Sequence, residues 1–193
     1  MKFRCERDAL VEQLSTASRA VSSRGGALPV LTGIHLKAHK DVLTMTGSDL
    51  EITVRASVPV AVTESGEAVL PSRIAVDIIR SLDSGAIEVE VAGEEAKISG
   101  GRSQFSVRTL PVDDFPSLSD PKGDEVTVST ADLAAGLKQV VRAASGDDAR
   151  PILTGVLMSA EDGGLRLVAT DSYRLAVRDL PEATVLSEGQ KVL

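Results

Sequence analysis

Three stretches of this chain place apolar residues at steps of three and four, which is the spacing of one face of an α-helix. The first spans residues 8–22. The second begins at Ser72, a candidate N-cap, and the third follows Ser129 and Asp132, whose spacing is that of a capping box. The predicted apolar faces consist of Leu10, Val11, Leu14, Ala17 and Val21, then Ile74, Ile78, Ile79 and Leu82, then Leu133, Leu137, Val140 and Val141.

Between these helices, apolar and polar residues alternate, which predicts half-buried β-strands. His35 and His39 alternate with apolar neighbours, so both side chains are expected to face solvent. Turns are expected at Gly47–Asp49, at Gly93 and at 100–101, each of which contains glycine. One helix followed by about four antiparallel strands, used repeatedly, predicts an α+β fold with helices layered on one face of a sheet.

One pattern occurs twice along the chain, at a constant distance of 122 residues, which is too long for a solenoid repeat. It indicates a first domain at 1–120 and a second copy at 124–193 that is about half as long. The sequence after Asp171 aligns with that after Asp49 only if one residue is added, which predicts a local bulge. The matched residues are Pro29, Leu31, Thr32, Gly33, Leu43 and Asp49, which recur as Pro151, Leu153, Thr154, Gly155, Leu165 and Asp171.

The composition bears on the cellular compartment of the protein and on whether it could wrap nucleic acid. The single cysteine, Cys5, excludes a disulfide within the chain and suits a reducing cytoplasm. No secretory signal and no apolar run of membrane-spanning length is present. A net charge of −7 argues against a protein that wraps nucleic acid, unless its basic residues are segregated on one face.

Motifs of catalysis are missing from the sequence. No nucleophile elbow, phosphate-binding glycine loop or zinc-protease helix occurs, so we predict no catalytic residue, no metal site and no cofactor. Cys5 is expected in the core. Asp113 and Asp114 are expected in a solvated turn rather than as paired catalytic acids, with Phe115 anchoring that segment.

Four segments resemble the bacterial sliding clamps, the beta subunits of the replicative DNA polymerase III. The resemblance implies a DNA-clamp fold, in which each domain packs two helices on antiparallel sheets. It also implies that each full-length protomer has three such domains and that two protomers close head to tail into a ring around duplex DNA. This chain would hold the first domain and about half of the second, with the third outside it. The segments are residues 1–10, 28–33, 100–116 and 169–177.

The resemblance implies a non-enzymatic processivity factor that contacts DNA without sequence specificity. Such a ring holds DNA by enclosure, so it needs few basic residues facing its hole. Arg24 and Arg73 match positions at which family members contact DNA; Lys138 and Arg142 share one helix face, and Arg19 and Arg80 are weaker candidates. Asp147 and Asp148 depart from the family pattern, which argues against DNA contact by that loop. The alternative is that all these cations are ordinary solvated charges.

The resemblance also implies a hydrophobic groove through which short peptides of the polymerase, the clamp loader and repair polymerases dock. Tyr173, the only tyrosine, stands beside Arg174, and both residue types are frequent in interface hot spots. Family members often carry Gly-His where this chain has Ser172 and Tyr173. The alternative is a tyrosine that only packs at the sheet end. The groove residues carried over are Arg150, Leu153, Thr170, Ser172, Tyr173, Arg174 and Leu175.

The resemblance also implies that residues at the edge of the first domain pair with the third domain of the other protomer. They are Ile78, Leu82, Phe105 and Val107, and the alternative places them in the domain core. A rival for the whole protein is a peptide-binding scaffold of the same fold that does not encircle DNA; a hydrolase with its active site outside this chain is weaker. Retention on circular DNA, lost when the circle is cut, would discriminate between ring and scaffold.

Overall fold

The computed structural model describes residues 1–22, 28–118, 127–161, 164–180 and 191–192. The chain divides into two compact units, Met1–Leu118 and Ser119–Leu193. Both units combine helices with antiparallel sheets, so the α+β prediction is confirmed.

The first unit contains two helices and two sheets. Helix α1 spans Arg7–Ala17 and α2 spans Ser72–Ser81. The strands run antiparallel in the orders β5-β1-β7-β8-β9 and β4-β3-β2-β6. Their bounds are β1 Lys2–Glu6, β2 Gly33–His39, β3 Val42–Ser48, β4 Thr53–Pro59, β5 Ala61–Glu64, β6 Gly66–Pro71, β7 Ala86–Ala92, β8 Glu95–Gly100 and β9 Ser103–Arg108; short 3₁₀ turns cover Ser18–Ala20, Pro29–Thr32 and Val112–Asp114.

The core of the first unit joins both sheets to both helices. Leu10 and Leu14 of α1, Ile79 of α2 and Phe3 of β1 are all about 1 % exposed. Cys5 is buried among them, as predicted, and this burial raises the pKa of its thiol to about 12. The thiol is therefore a packing group rather than a nucleophile.

Helix α2 differs from its prediction at two places. It begins at Ser72, with Pro71 in the cap position and no side-chain cap, so Ser72 is not the N-cap. Its buried face consists of Ser72, Ala75, Val76 and Ile79. These positions follow the helical repeat, whereas Ile74 lies off it and is 52 % exposed. Ala75, which the predicted face did not include, is fully buried.

The second unit packs one helix on one sheet in its described part. Helix α3 spans Thr130–Val140, and the side chain of Ser129 accepts a hydrogen bond from Asp132 N, which confirms the predicted cap. The strands run in the antiparallel order β12-β11-β10-β13. A Cβ at Gly136 would lie 2.8 Å from Leu167 Cδ1, so glycine allows α3 to approach β11 closely. The strand bounds are β10 Leu157–Glu161, β11 Gly164–Thr170, β12 Leu175–Leu180 and β13 Lys191–Val192, and 3₁₀ turns cover Val141–Ala143 and Pro151–Leu153.

Candidate functional site

The turns that follow β3 and β11 are the same structure, built twice. Asp49 Oδ1 accepts hydrogen bonds from the backbone N–H groups of Glu51 and Ile52 at 3.0 and 2.7 Å. Asp171 Oδ1 accepts the two equivalent bonds, both at 2.9 Å. The residue after each aspartate is left-handed, with φ of 78° at Leu50 and 77° at Ser172. The first turn therefore covers residues 49–52, and the predicted turn at Gly47–Asp49 is wrong, since Gly47 lies within β3.

No residue is inserted in the second copy, so the predicted bulge is also wrong. Ser48 pairs with Thr53 across the first turn, and Thr170 pairs with Leu175 across the second. Both ladders continue without a shift, which places Val177 rather than Arg178 at the position of Arg55. The sequence alignment had matched two arginines, but the aspartate turn sets the register.

The second turn displays the residues that the family resemblance assigns to a groove. Tyr173 is 93 % exposed and Leu175, which begins β12, is 65 % exposed. Thr170 Oγ1 donates to Arg174 O at 2.7 Å and accepts from Ser172 N at 3.1 Å, which fixes the turn from inside. The backbone N–H groups of Tyr173 and Arg174, then the Arg174 guanidinium, hold the pKa of Asp171 below its usual range.

Arg150 connects this turn to the segment after α3. Its Nε donates to Asp147 Oδ2 at 3.0 Å, and its Nη1 lies 3.4 Å from Ser172 Oγ. The backbone N–H of Ala149 and the Arg150 side chain lower the pKa of Asp147. Arg150 is thereby held beside the second turn, although the two segments lie 22 residues apart.

An apolar cavity of about 230 Å³ reaches the second turn at Thr170, and its described lining does not include the predicted groove residues Arg150, Ser172, Tyr173, Arg174 and Leu175. Leu153 and Thr170 were predicted, but most of the lining was missed by the sequence analysis. Ile152, which is 69 % exposed, sits beside Leu153 in the repeated segment, so its position was a usable signal. Leu157 and Val168 meet across β10 and β11, a pairing that only the sheet register reveals. The lining residues are Ile152, Leu153, Gly155, Leu157, Val168, Ala169 and Thr170.

The candidate DNA-contacting residues are exposed wherever they are described. Arg73, Lys138 and Arg142 all have exposed side chains, while Arg24 lies outside the described residues. Arg73 borders a cavity of about 500 Å³, which Arg80 and Asp77 also line. These cationic side chains are accessible, and acidic residues such as Asp77 lie among them. Contact of these cations with DNA stays a prediction.

The four residues predicted at a protomer interface fall into two groups. Leu82 and Val107 are 2 % and 5 % exposed and belong to the core of the first unit. Ile78 is half-buried, and Phe105 is 37 % exposed on β9, an edge strand of its sheet. A partner could therefore reach only Ile78 and Phe105 directly.

His35 does not simply face solvent, so that prediction is wrong for it; His39 is exposed as expected. The His35 ring stacks on Phe115 at 5.1 Å between centroids, and its Nε2 lies 3.0 Å from Glu67 Oε2. Phe115 anchors its segment, as predicted. Within the described part of the chain, three metal-ligating side chains never cluster. The helices described there are all too short or too polar to cross a bilayer.

Comparison with known proteins agrees with this architecture. The family models for the DNA polymerase III beta subunit match the chain in two parts, the N-terminal domain over residues 1–119 and the central domain over residues 127–193. The beta sliding clamp of Streptomyces coelicolor is 37 % identical over 179 residues, covering 93 % of this chain and 47 % of the relative. That of Bacillus subtilis is 35 % identical over 196 residues, covering 94 % and 52 %.

Solved structures give the same result. The DNA polymerase III beta subunit of Pseudomonas aeruginosa superposes with a TM-score of 0.91 at 32 % identity, over 100 % of this chain and 53 % of that one. A structure of that organism's clamp bound to griselimycin gives a TM-score of 0.90 at 31 % identity, over 100 % and 53 %. The chain thus spans about half the length of the relatives it matches. On these matches, the chain belongs to the DNA polymerase III beta-subunit family, the bacterial sliding clamps.

Proposed function

We propose that this chain supplies the DNA-facing and partner-docking surfaces of a cytoplasmic, non-enzymatic processivity factor. In full-length form the protein closes head to tail into a homodimeric ring around duplex DNA and slides along it. It tethers the replicative polymerase, the clamp loader and repair polymerases through short peptides. The observation that carries the docking part is the open apolar cavity that the predicted residues Leu153 and Thr170 line.

The cavity suits a peptide rather than a catalytic reaction. Its lining is apolar, and Thr170, its only hydroxyl-bearing lining residue, uses that hydroxyl within the turn. Exposed Tyr173 and Leu175 lie nearby in the chain, and aromatic and aliphatic anchors dominate peptide and protein interfaces. Arg150 and Arg174 each donate a hydrogen bond from Nε to an aspartate. Both keep further guanidinium N–H donors that are not bound to that aspartate.

The docking proposal has a matched control inside the molecule. Tyr173→Ala combined with Arg174→Ala should weaken binding of a replicative-polymerase peptide by roughly tenfold or more, because a hot-spot pair is removed. Glu51→Ala combined with Ile52→Ala changes the equivalent positions of the first turn and should leave affinity unchanged. Isothermal titration with each purified variant measures both. Equal affinity in the two double variants would overturn the assignment of the groove.

The DNA-facing proposal rests on exposed cations in a chain of net charge −7. Arg73→Ala should weaken DNA binding and reduce the slope of log K against log salt by about 1, because one phosphate contact is lost. Arg108→Ala removes the same charge on β9, where that arginine pairs with Glu94, and is the control. If both variants change the slope equally, Arg73 has no special role.

Ring closure needs a chain of the relatives' full length that contains this sequence. Such a protein, loaded on a closed circular duplex, should remain bound through gel filtration and dissociate once the circle is cut. Equal loss from both substrates would favour the scaffold that does not encircle DNA.

A further inference from the structure

The first unit contains its own copy of the 3₁₀ turn that borders the apolar cavity. Val30 and Leu31 stand where the second unit has Ile152 and Leu153, and the same backbone bond closes each turn. Val30 and Leu31 are only 3 % and 5 % exposed, whereas Ile152 is 69 % exposed. One surface is thus covered and its counterpart is open.

The cover is a segment of the same unit. Leu110, Val112 and Phe115 pack against the buried cluster that Val30 and Leu31 form with Val69. The segment folds into a 3₁₀ turn over Val112–Asp114, with Phe115 N donating to Val112 O at 3.0 Å. Because the 3₁₀ repeat is three residues, Val112 and Phe115 share one side of this turn. Asp113 and Asp114, which lie between them, are exposed.

The covered and open surfaces correspond residue by residue. His35 pairs with Thr46 in the first sheet, and Leu157 pairs with Val168 in the second, 122 residues further along the chain. The Phe115 ring stacks on His35, while Leu157 and Val168 line the apolar cavity. Segment 110–116 of the first unit therefore covers part of the surface that is open in the second, and a cavity of about 490 Å³ remains beside it, lined by residues that include His35, Thr46 and Phe115.

Charge separates the two copies further. Arg150 precedes the segment 151–153 and Arg174 lies in the second turn, at the positions that Leu28 and Ile52 hold in the first unit. Each arginine retains guanidinium N–H donors that make no bond to its aspartate. Acidic residues on a bound segment would meet these donors, so the second unit is better suited to an acidic occupant than the first.

We propose that segment 110–116 is a built-in ligand of the first unit's copy of the groove, and that the second unit accepts a partner segment of the same chemistry. That chemistry is an apolar residue and an aromatic residue three positions apart in one 3₁₀ turn, with acidic residues between them. The inference rests on the proposed docking function and identifies its ligand.

The test supplies this segment as a separate molecule. A fluorescein-labelled peptide of residues 108–118, RTLPVDDFPSL, is titrated with the 193-residue chain and followed by anisotropy. We expect saturable binding that weakens by about tenfold in Ile152→Ser, because the contact of one large aliphatic side chain is lost. The peptide with alanine in place of its phenylalanine should lose as much. Ile74→Ser changes an isoleucine of similar exposure on α2 and should have no effect.

A replicative-polymerase peptide, run in parallel, distinguishes the two levels of the proposal. If it binds in an Ile152-dependent manner and the 108–118 peptide does not, the inference is overturned and the docking function stands. If neither peptide binds, both fail. Binding of the 108–118 peptide that is lost in Val30→Ser but kept in Ile152→Ser would mean exchange into the first unit, and would also overturn the inference.

Discussion

Ser172 occupies a backbone conformation that residues other than glycine rarely adopt. Its φ is 77°, in the middle of the turn that presents Tyr173. A side chain in this region costs about 1–3 kcal/mol, and the conformation persists because Asp171 and Thr170 bond the turn on both sides. Hydrogen bonds thus hold Ser172 in a conformation that glycine would adopt without strain.

Replacing Ser172 by glycine should therefore stabilise the protein. Ser172→Gly relieves the left-handed strain but loses about 0.5–1 kcal/mol to the greater freedom of the unfolded chain, so we expect a net gain of about 1 kcal/mol. Leu50→Gly, at the equivalent position of the first turn, should behave alike. Ser106→Gly in β9 has no strain to relieve and should destabilise. Urea unfolding monitored by circular dichroism checks all three, and a loss of stability in Ser172→Gly would contradict the strain argument.

Single residues were predicted well where their own chemistry decides their place. Cys5 is buried in the core and Phe115, which is partly buried, packs against an apolar cluster, as predicted for a small core residue and for the anchor of its segment. His35 was placed wrongly because alternation gives the face of a strand and not what covers that face. Ile74 was placed wrongly because the buried stripe of α2 follows the position of small Ala75 rather than the size of its neighbours.

At the scale of elements, the two aspartate turns determine the register of both hairpins. Each aspartate accepts two backbone N–H bonds and thereby fixes where the following strand begins. The sequence shows that Asp49 and Asp171 correspond, but not which residues pair beyond them. Leu153 and Thr170, which line the apolar cavity, were predicted from the family resemblance. Leu157 and Val168 could not be predicted, because their meeting depends on pairing across strands.

These turns make stability depend on pH in the acid range. Hydrogen bonds to the ionised carboxylates lower the pKa of Asp49 and of Asp171 from the ordinary value of 3.8. The stabilisation is fully present above that ordinary value and is lost as the pH falls through the lowered pKa of the folded state. Asp171→Asn keeps the acceptor oxygen but not the charge, so its urea midpoint should fall less than that of the unmodified chain between about pH 4.5 and pH 2.

A comparison of the two turns refines this test. Asp171 also pairs with Arg174 Nε at 3.0 Å, whereas Asp49 is bonded by backbone N–H groups. The effect of Asp171→Asn should therefore shrink more in high salt than that of Asp49→Asn, because exposed ion pairs are screened. Asp113→Asn, in an exposed turn, is the control. Identical acid profiles for all three variants would contradict the role given to the turns.

At the scale of the whole molecule, one supersecondary pattern serves two surfaces. The duplication was evident from the sequence because the pattern Pro-x-Leu-Thr-Gly and the later aspartate recur at one spacing. The sequence did not show how the two copies differ in exposure and charge. Segment 110–116 packs on the first copy, and Arg150 lies beside the turn of the second. The residues shared by the two copies form the common scaffold, and the docking role proposed for the second unit rests on the residues that differ.

The two units also have separate clusters of buried side chains. Leu14 lies in the main cluster of the first unit and Leu167 in that of the second, and each is about 1 % exposed or less. The clusters described in the structure share no residue, so loss of packing in one should not loosen the other.

Leu14→Ala and Leu167→Ala test this arrangement as a matched pair. Each should cost about 2–5 kcal/mol, because a fully buried leucine is replaced and a cavity remains. Hydrogen exchange followed by mass spectrometry in moderate urea reports each unit separately, through fragments containing α1 and α3. We expect Leu167→Ala to accelerate exchange in α3 alone and Leu14→Ala to accelerate it in α1 alone. Accelerated exchange in both helices from either substitution would show that the two units unfold as one cooperative body.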